Sequence, residues 1–593
     1  MTRFQIKIKN GSKVLLLMCL LGLTQLVKAQ HEFNSYDGPY PQDIFETIRG
    51  CISPDGKQLV YGSFQTGDQS LRFLLYHIQS KKSIPLTVSK GFRRNPAWSP
   101  DGTKIIYTDI MEGRQGLWII DVATKKEEQI FNSVNANATT PHWQNDNSII
   151  FTLKSKDSTQ LLQINSSGNN KKVIFSKLPV AAAFAALSPD GKTIAYSVLT
   201  NGYRNIHLVK SDGTSEKEVT KDLYLLQENP VWSNNGKYLY FTAATSNDSC
   251  FHAWQIEVSM SKLQRIENVE GDVMRISKTA AGKIAFTTFN PSLSVGTLPA
   301  NGGEPKAVLP PQSPDALMPC WTNDGKGLYY MQGDWRQVQM VVTQNIGWDI
   351  HKSTYNIGDN KASANSLIIA EKGEDYGPCL SPNGKLLAFH SHRNNTDDTY
   401  IKNISSKNDT IITTSKGGNE TGDPAWNSDG TKIIFTTTKD GDWNRPYIVE
   451  IDSSNGQPIN SPQLVQLNNF QGHVYSSRFS PDNKMIAFCA RLNDNTAGVF
   501  TVPTQGGEPT MLIKHSGGET YGFAEWGKDG QSIYYASNDG RFPYRIKRVS
   551  IDGKKTGIIS TGAASAMHPR LSPDGKLLAV TMYNPGIKIW IEK

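Results

Sequence analysis

The chain has 593 residues, 38% apolar and 20% charged, with 50 glycines, 30 prolines, 22 tyrosines and 12 tryptophans. That balance is ordinary for a soluble folded protein, and its turn formers and aromatics favour β structure over helix. The formal net charge is +8, but residues 1–29 hold five basic and no acidic side chains. Without them 57 basic side chains face 54 acidic ones, and no Lys/Arg-rich run marks a nucleic-acid partner.

Residues 1–29 read as a signal peptide. Arg3, Lys7, Lys9 and Lys13 precede an apolar run from Val14 to about Leu26, and Val27-Lys28-Ala29 offers an A-x-A-like cleavage site. The mature chain is expected to start near Gln30, to be exported to the periplasm or cell surface, and to have no transmembrane segment. Five cysteines remain: Cys51, Cys250, Cys320, Cys379 and Cys489. The odd count leaves at least one thiol unpaired, and with no C-x-x-C pair a thiolate zinc site is not expected.

From Cys51 onward one unit recurs. "CISPDGKQLVYG" is followed by "AWSPDGTKIIYT" from Ala97, "ALSPDGKTIAYS" from Ala186 and "RLSPDGKLLAVT" from Arg570. Aligned on the turn residue, the copies fall at Gly56, Gly102, Asn147, Gly191, Gly236, Gly282, Gly325, Gly384, Gly430, Asn483, Gly530 and Gly575. Their spacing is 43 to 47 residues, except 59 after Gly325 and 53 after Gly430, where insertions are expected. A period near 45 with apolar alternation around a turn belongs to four-stranded propeller blades. Asp or Asn followed by Gly makes the hairpin turn, because Gly accepts positive φ. Trp98, Trp143, Trp232, Trp321, Trp426 and Trp526, just before the turn, supply apolar plates for packing between blades.

The stretches "PAWSPDGTKIIYTD", "PVWSNNGKYLYFTA" and "PAWNSDGTKIIFTTTKDG" resemble the repeats of TolB-type β-propellers. They are also similar to the non-catalytic propellers of dipeptidyl-peptidase-like and tricorn-like proteases. The resemblance covers essentially the whole mature chain. It implies an all-β fold of four-stranded antiparallel blades and, for function, a binding or scaffolding role in the cell envelope. Twelve repeats exceed one usual ring, and the proline-rich "VLPPQSPDA" (residues 308–316) lies between six and six. Two tandem β-propellers of six blades each are therefore expected, residues 30–309 and 310–593.

Ring closure yields a further expectation. Repeat twelve ends in "GIKIWIEK", read as its third strand, so an outermost strand is missing, and β proteins cover such edges. Ile44–Ile48 is expected to complete blade six. Lys306–Leu309 is expected to complete blade twelve by pairing with Ile587–Ile591.

Catalytic motifs are missing: there is no G-x-S-x-G, H-E-x-x-H, P-loop or G-x-G-x-x-G, and "NNTDDT" lacks the EF-hand pattern. No catalytic residue, metal or cofactor is assigned. His390 and His392 would share a strand face, but their register with other blades favours structural use. The residue before the Trp position carries more information. It reads Cys51, Ala97, His142, Ala186, Val231 and Arg275, then Cys320, Cys379, Ala425, Arg478, Glu525 and Arg570. Small residues suit a crowded innermost strand, so three consecutive charges stand out. They either pair among themselves or, with Asp375, Tyr376, Glu420, Asp423, His473, Tyr475, Tyr521 and His568 from the leading loops, line a binding funnel. The first ring offers Arg93, Arg94, Gln227 and Glu228 at the equivalent mouth.

Two functions follow. The first is a non-catalytic module for a protein, peptide or glycan partner. The second is a polysaccharide lyase on acidic oligosaccharides, which needs a base (Tyr376, His473, Tyr475 or His568) and cations such as Arg478 and Arg570. In the funnel reading, replacing both arginines by alanine removes binding while leaving the fold nearly intact.

Overall fold

The computed structural model describes residues 31–37 and 50–593, less short stretches of which 334–347, 412–420 and 516–522 are the longest. Residues 1–29, read above as a signal peptide, and Ile44–Ile48 lie outside the described residues. Those described form strands and no helix, arranged as twelve antiparallel sheets, numbered here by their innermost strands in chain order. Eleven sheets have four strands. The fifth has an interrupted innermost strand, Tyr224–Leu225 and Val231–Trp232, both paired with Tyr238–Ala244.

Each repeat folds through the same local chemistry. Ser53 Oγ donates to Asp55 Oδ1 (2.6 Å), which also accepts from Lys57 N (3.0 Å), while Ser53 Oγ accepts from Gln58 N (2.9 Å). The pattern returns at Ser99/Asp101, Ser188/Asp190 and Ser572/Asp574. Gly56 sits at φ +72°, where side chains are disfavoured. Beyond the turn, Lys104–Asp109 is buried at every position after the first. Strands in the middle of stacked sheets are covered on both faces, so they read as apolar runs rather than clean alternation.

Each hydrophobic core lies between two neighbouring sheets. Val60 and Phe73 pack on Trp98 and Ile105 between sheets one and two, and so on to sheet six. Ile52 and Leu59 then meet Ala285 and Ile589, joining sheet one to sheet six. A second circuit runs from sheet seven to sheet twelve, where Trp321 and Leu328 meet Val295 and Ala579. The architecture is that of tandem β-propellers.

The tryptophans do more than pack. Each indole Nε1 donates to the carbonyl of the residue before the Trp position in the preceding sheet: Trp98 to Cys51, Trp143 to Ala97, Trp232 to Ala186, Trp426 to Cys379 and Trp526 to Arg478. Trp321 closes the second circuit by donating to Arg570 O (3.0 Å).

Closure corrects the expectation drawn from the sequence. Ile587–Glu592 is not the third strand of sheet twelve; it pairs with Ile284–Phe289 of sheet six, and Phe33–Asp37 adds to its far edge. The third strand of sheet twelve is Ser292–Pro299, paired with Leu577–Asn584. Lys306–Ala307 does end sheet twelve, but by pairing with Thr297 and Gly296 instead of residues 587–591. The division at residue 309 therefore does not separate the sheets, because the two halves exchange strands. The crossings run through two short connections, one at Asn290-Pro291 and one between Asn584 and Gly586. Neither reverses the chain into a hairpin, and they lie side by side, with Asn290 N donating to Gly586 O (3.1 Å). Gly586 has φ +57°, and a Cβ there would sit 1.9 Å from Asn290 O, so only glycine permits the crossing.

A chain truncated after Asn584 is expected to expose the first propeller to limited proteolysis and leave the second protected, because sheet six loses its third strand. Loss of protection in the second propeller instead would contradict this pairing.

Candidate functional site

A β-bulge precedes the residue ahead of the Trp position in most innermost strands. The register shifts between Met567 and Arg570, between Tyr376 and Cys379, and between Gly422 and Ala425. Bulge residues adopt positive φ, as at Gly377 (+63°) and His568 (+51°). The extra residue bends the strand and re-aims the following side chain.

In the second propeller this brings together Asp423, Arg478, Glu525, His568 and Arg570. Asp423 is buried, and its Oδ2 accepts from Arg570 Nη2 at 2.9 Å and from Arg478 Nη2 at 3.4 Å. Glu525 Oε2 lies 3.9 Å from Arg478 Nε and 4.0 Å from Arg570 Nη1, and Glu525 Oε1 accepts from Leu571 N. Burial pushes the Asp423 carboxyl up, but Arg570 and Arg478 outweigh it and hold the pKa below the ordinary value. Glu525 is raised by its burial, against the pull of the same arginines. Two cations and two carboxylates thus neutralise one another, the pairing that the sequence left open. His568 donates to or accepts from Thr581 Oγ1 (2.7 Å), and burial holds its pKa down to about 3. A neutral, enclosed imidazole beside committed arginines is poorly placed to abstract a proton next to a carboxylate.

The other expected residues have partners of their own. Asp375 is buried at its strand end, where it and burial raise the pKa of Asp349. The Tyr376 ring lies 5.5 Å from that of His390. His473 packs against Trp443 (4.8 Å) and Tyr475 (6.4 Å). Glu420 and Tyr521 lie outside the described residues. His390 bonds Thr399 Oγ1 and His392 pairs with Asp397, both structural uses. Among the described residues, no three His, Cys, Asp or Glu side chains converge as a metal-ligand set.

The first propeller is different. A cavity of about 940 Å³ runs through its middle, bounded by all six of its sheets. Arg275, Lys278, Lys172 and His142 line it, and Asp190 is its one acidic lining residue among those described. Asp190 is already bonded by Ser188 Oγ and Lys192 N. Lys278 Nζ donates to Trp232 O (3.2 Å), burial lowers its pKa, and among the described residues no carboxylate offsets its charge. His142 Nε2 is buried with no hydrogen-bond partner, and burial, aided by Lys278, holds its pKa down to about 4. Arg93, expected at this mouth, is instead buried in an ion pair with Glu127 (2.9 Å). Gln227 and Glu228 lie outside the described residues. Sequence reasoning missed Lys278; the signal was a lysine two residues past the Trp position, where its counterparts are turn residues.

Comparison with known proteins adds a family relation. Residues 33–280 match the TolB beta propeller domain family. A TolB homologue from Chlorobium chlorochromatii (strain CaD3) is 26% identical over 179 residues, 29% of this chain and 37% of the relative. One from Chlorobaculum tepidum is 29% identical over 129 residues, 21% of this chain and 28% of the relative. The chain thus spans 37% or less of the length of these two curated relatives. A solved putative TolB from Agrobacterium tumefaciens is 16% identical, covering 50% of this chain and 99% of its own, at a TM-score of 0.38.

The ion cluster reverses one expectation. Removing an arginine strands a buried carboxylate, so Arg570→Ala is expected to destabilise the second propeller by about 3–5 kcal/mol, read as a lowered urea midpoint. The pH dependence has a definite sign. His568 is neutral when folded and has a depressed pKa of about 3. Its contribution is complete above the unfolded value of about 6.5 and is lost as pH falls towards about 3. His568→Gln is expected to flatten the pH dependence of stability across that window.

Proposed function

We propose that this chain, a TolB-like β-propeller repeat protein, is an exported, non-catalytic binding module of the cell envelope. In this reading it forms two six-bladed rings with exchanged strands, and a partner that presents carboxylates enters the channel of the first ring. The partner is a protein, peptide or glycan segment.

One observation carries the reading: the channel in which Lys278, a partly buried lysine, has no carboxylate partner among the described residues. An uncompensated ammonium in a partly desolvated cavity is costly, and an arriving carboxylate offsets that cost while accepting charge-assisted hydrogen bonds. His142 Nδ1 faces Thr140 O and so carries the ring proton, which leaves the unpartnered Nε2 as an acceptor for a hydroxyl or amide N–H of the partner instead of its carboxylate. The half-buried rings of Tyr376, His473 and Tyr475 offer a contact surface on the second ring, where Arg478 and Arg570 serve the structure.

Calorimetry of the mature protein with acidic oligopeptides and acidic oligosaccharides tests this, with absorbance of unsaturated products followed in parallel. Saturable binding without product absorbance is expected, and Lys278→Gln is expected to weaken it at least tenfold. Absorbance from unsaturated products would favour the lyase, and binding unaffected by Lys278→Gln would remove the ligand from this channel.

A further inference from the structure

The cavity of the first propeller occupies the turn end of the channel. Its innermost-strand lining begins at Cys51, Ala97, Pro141, Ala186, Pro230 and Arg275 and continues to the turns. Among the described residues, none nearer the bulge end contributes. At the turn end the rim holds Pro189, Asn234 and Ala280, all exposed, so the cavity opens to solvent there. At the other end lies Arg275, which is buried. It stands on sheet six, yet its Nη2 donates to Pro96 O of sheet two at 3.2 Å. The side chain therefore passes in front of sheet one, at the level where the lining stops.

The polar groups at that end are of two kinds. A guanidinium has five N–H donors in a planar fork and an ammonium has three. Lys278 gives one of its three to Trp232 O. His142 holds the same place in its column as Arg275, and in a circuit of six sheets the third and the sixth face each other. The proton on its Nδ1 points to Thr140 O (3.5 Å), which makes the buried, unpartnered Nε2 an acceptor. Asp190 belongs to the turn of sheet four, at the rim, and its Oδ1 already accepts from Ser188 Oγ and Lys192 N. The closed end thus sets cationic donors opposite a neutral acceptor.

We propose that this cavity is a blind pocket for a polypeptide C-terminus, closed by Arg275, in which Arg275, Lys278 and His142 recognise the terminal residue. This rests on the carboxylate-binding reading of the first propeller and narrows it. A closed end admits the end of a chain and not its middle, because a segment threading the axis would have to pass Arg275. The end of a polypeptide carries a carboxylate with an amide N–H one Cα away. The carboxylate accepts from Lys278 and Arg275, and the N–H donates to His142 Nε2. Bonds from a cation to a carboxylate are the stronger kind, and they fix orientation. Acidic side chains inside a segment lack the free end, and uronate groups along a glycan lack the adjacent N–H. From the column to the turn proline is three residues, so the pocket is about 10 Å deep and takes about three extended ligand residues.

The test uses octapeptides of mixed sequence tethered by their N-termini and probed with labelled mature protein. Each sequence is made once with a free C-terminal carboxylate and once as the carboxamide. Free acids are expected to bind about tenfold more tightly than their carboxamides, whatever acidic residues lie within the chain. Lys278→Gln is expected to erase that preference. Ala280→Trp, at the open rim, is expected to weaken free-acid binding, and Asn137→Trp, at the bulge end of sheet three, to leave it unchanged. Equal binding of both sets through internal Asp or Glu would overturn the proposal and leave the carboxylate reading intact. Binding of acidic oligosaccharides but of neither peptide set would do the same, whereas no binding of any of them would remove both. Free-acid binding that is blocked by Asn137→Trp and not by Ala280→Trp would also overturn it. The comparison of free acid with carboxamide uses the unsubstituted protein, so it stands even if a variant fails to fold.

Discussion

The hydrogen bond from a tryptophan indole to the carbonyl of the neighbouring sheet is the constraint on which the rest depends. It recurs six times at 2.9–3.2 Å, and it always ends on the residue ahead of the Trp position. An indole has one donor and a large apolar body, so a buried tryptophan satisfies both needs only where a carbonyl lies at the edge of a packed interface. The same bond locks the backbone of the residue whose side chain the bulge aims inward. Three of its acceptors are the carbonyls of Cys379, Arg478 and Arg570. Sheet six has Ile276 in place of tryptophan, and Lys278 Nζ reaches back to Trp232 O instead. That carbonyl lies one residue past Val231, whose carbonyl an indole there would use, so the lysine ties sheets five and six by a different bond.

The repeat was legible in the sequence because its causes are local. A serine, an aspartate and a glycine within four residues set the turn, and the apolar run after it sets the strand. Closure was not legible, because third strands such as Ser292–Pro299 and Ile587–Glu592 are both mixed apolar segments that fit either sheet. The choice is made by connection geometry: "FNPSL" and "YNPGI" both place proline where a hairpin would be needed. The matching Asn-Pro pairs were the available sign of exchange.

The candidate site was half legible for a similar reason. Reading one column down the repeats found Arg478, Glu525 and Arg570, but pairing is a property of distance across sheets. Asp423 was visible as one acidic residue among several, and only the bulges make it the common partner of both arginines. Gly377 contributes, since a Cβ there would sit 2.9 Å from Asp423 Oδ1. Cys320 and Cys379 stood in the same column, yet spacing alone could not show that Leu380 N donates to Cys320 Sγ between sheets seven and eight.

A buried ion cluster is weak evidence for stability, since desolvation cancels much of its Coulombic gain. Hydrophobic side chains of similar volume would hold the innermost strands together as well. Asp423 and Glu525 keep both arginines in place, and neither carboxylate is needed for closure, which the indoles and the apolar cores already provide. The two propellers thus differ in kind. The first holds a cavity whose described lining includes Arg275, Lys278 and Lys172. In the second propeller Arg478 and Arg570 are paired with Asp423 and Glu525. The exchanged strands tie these propellers together, because sheets six and twelve each depend on a segment from the opposite half of the chain.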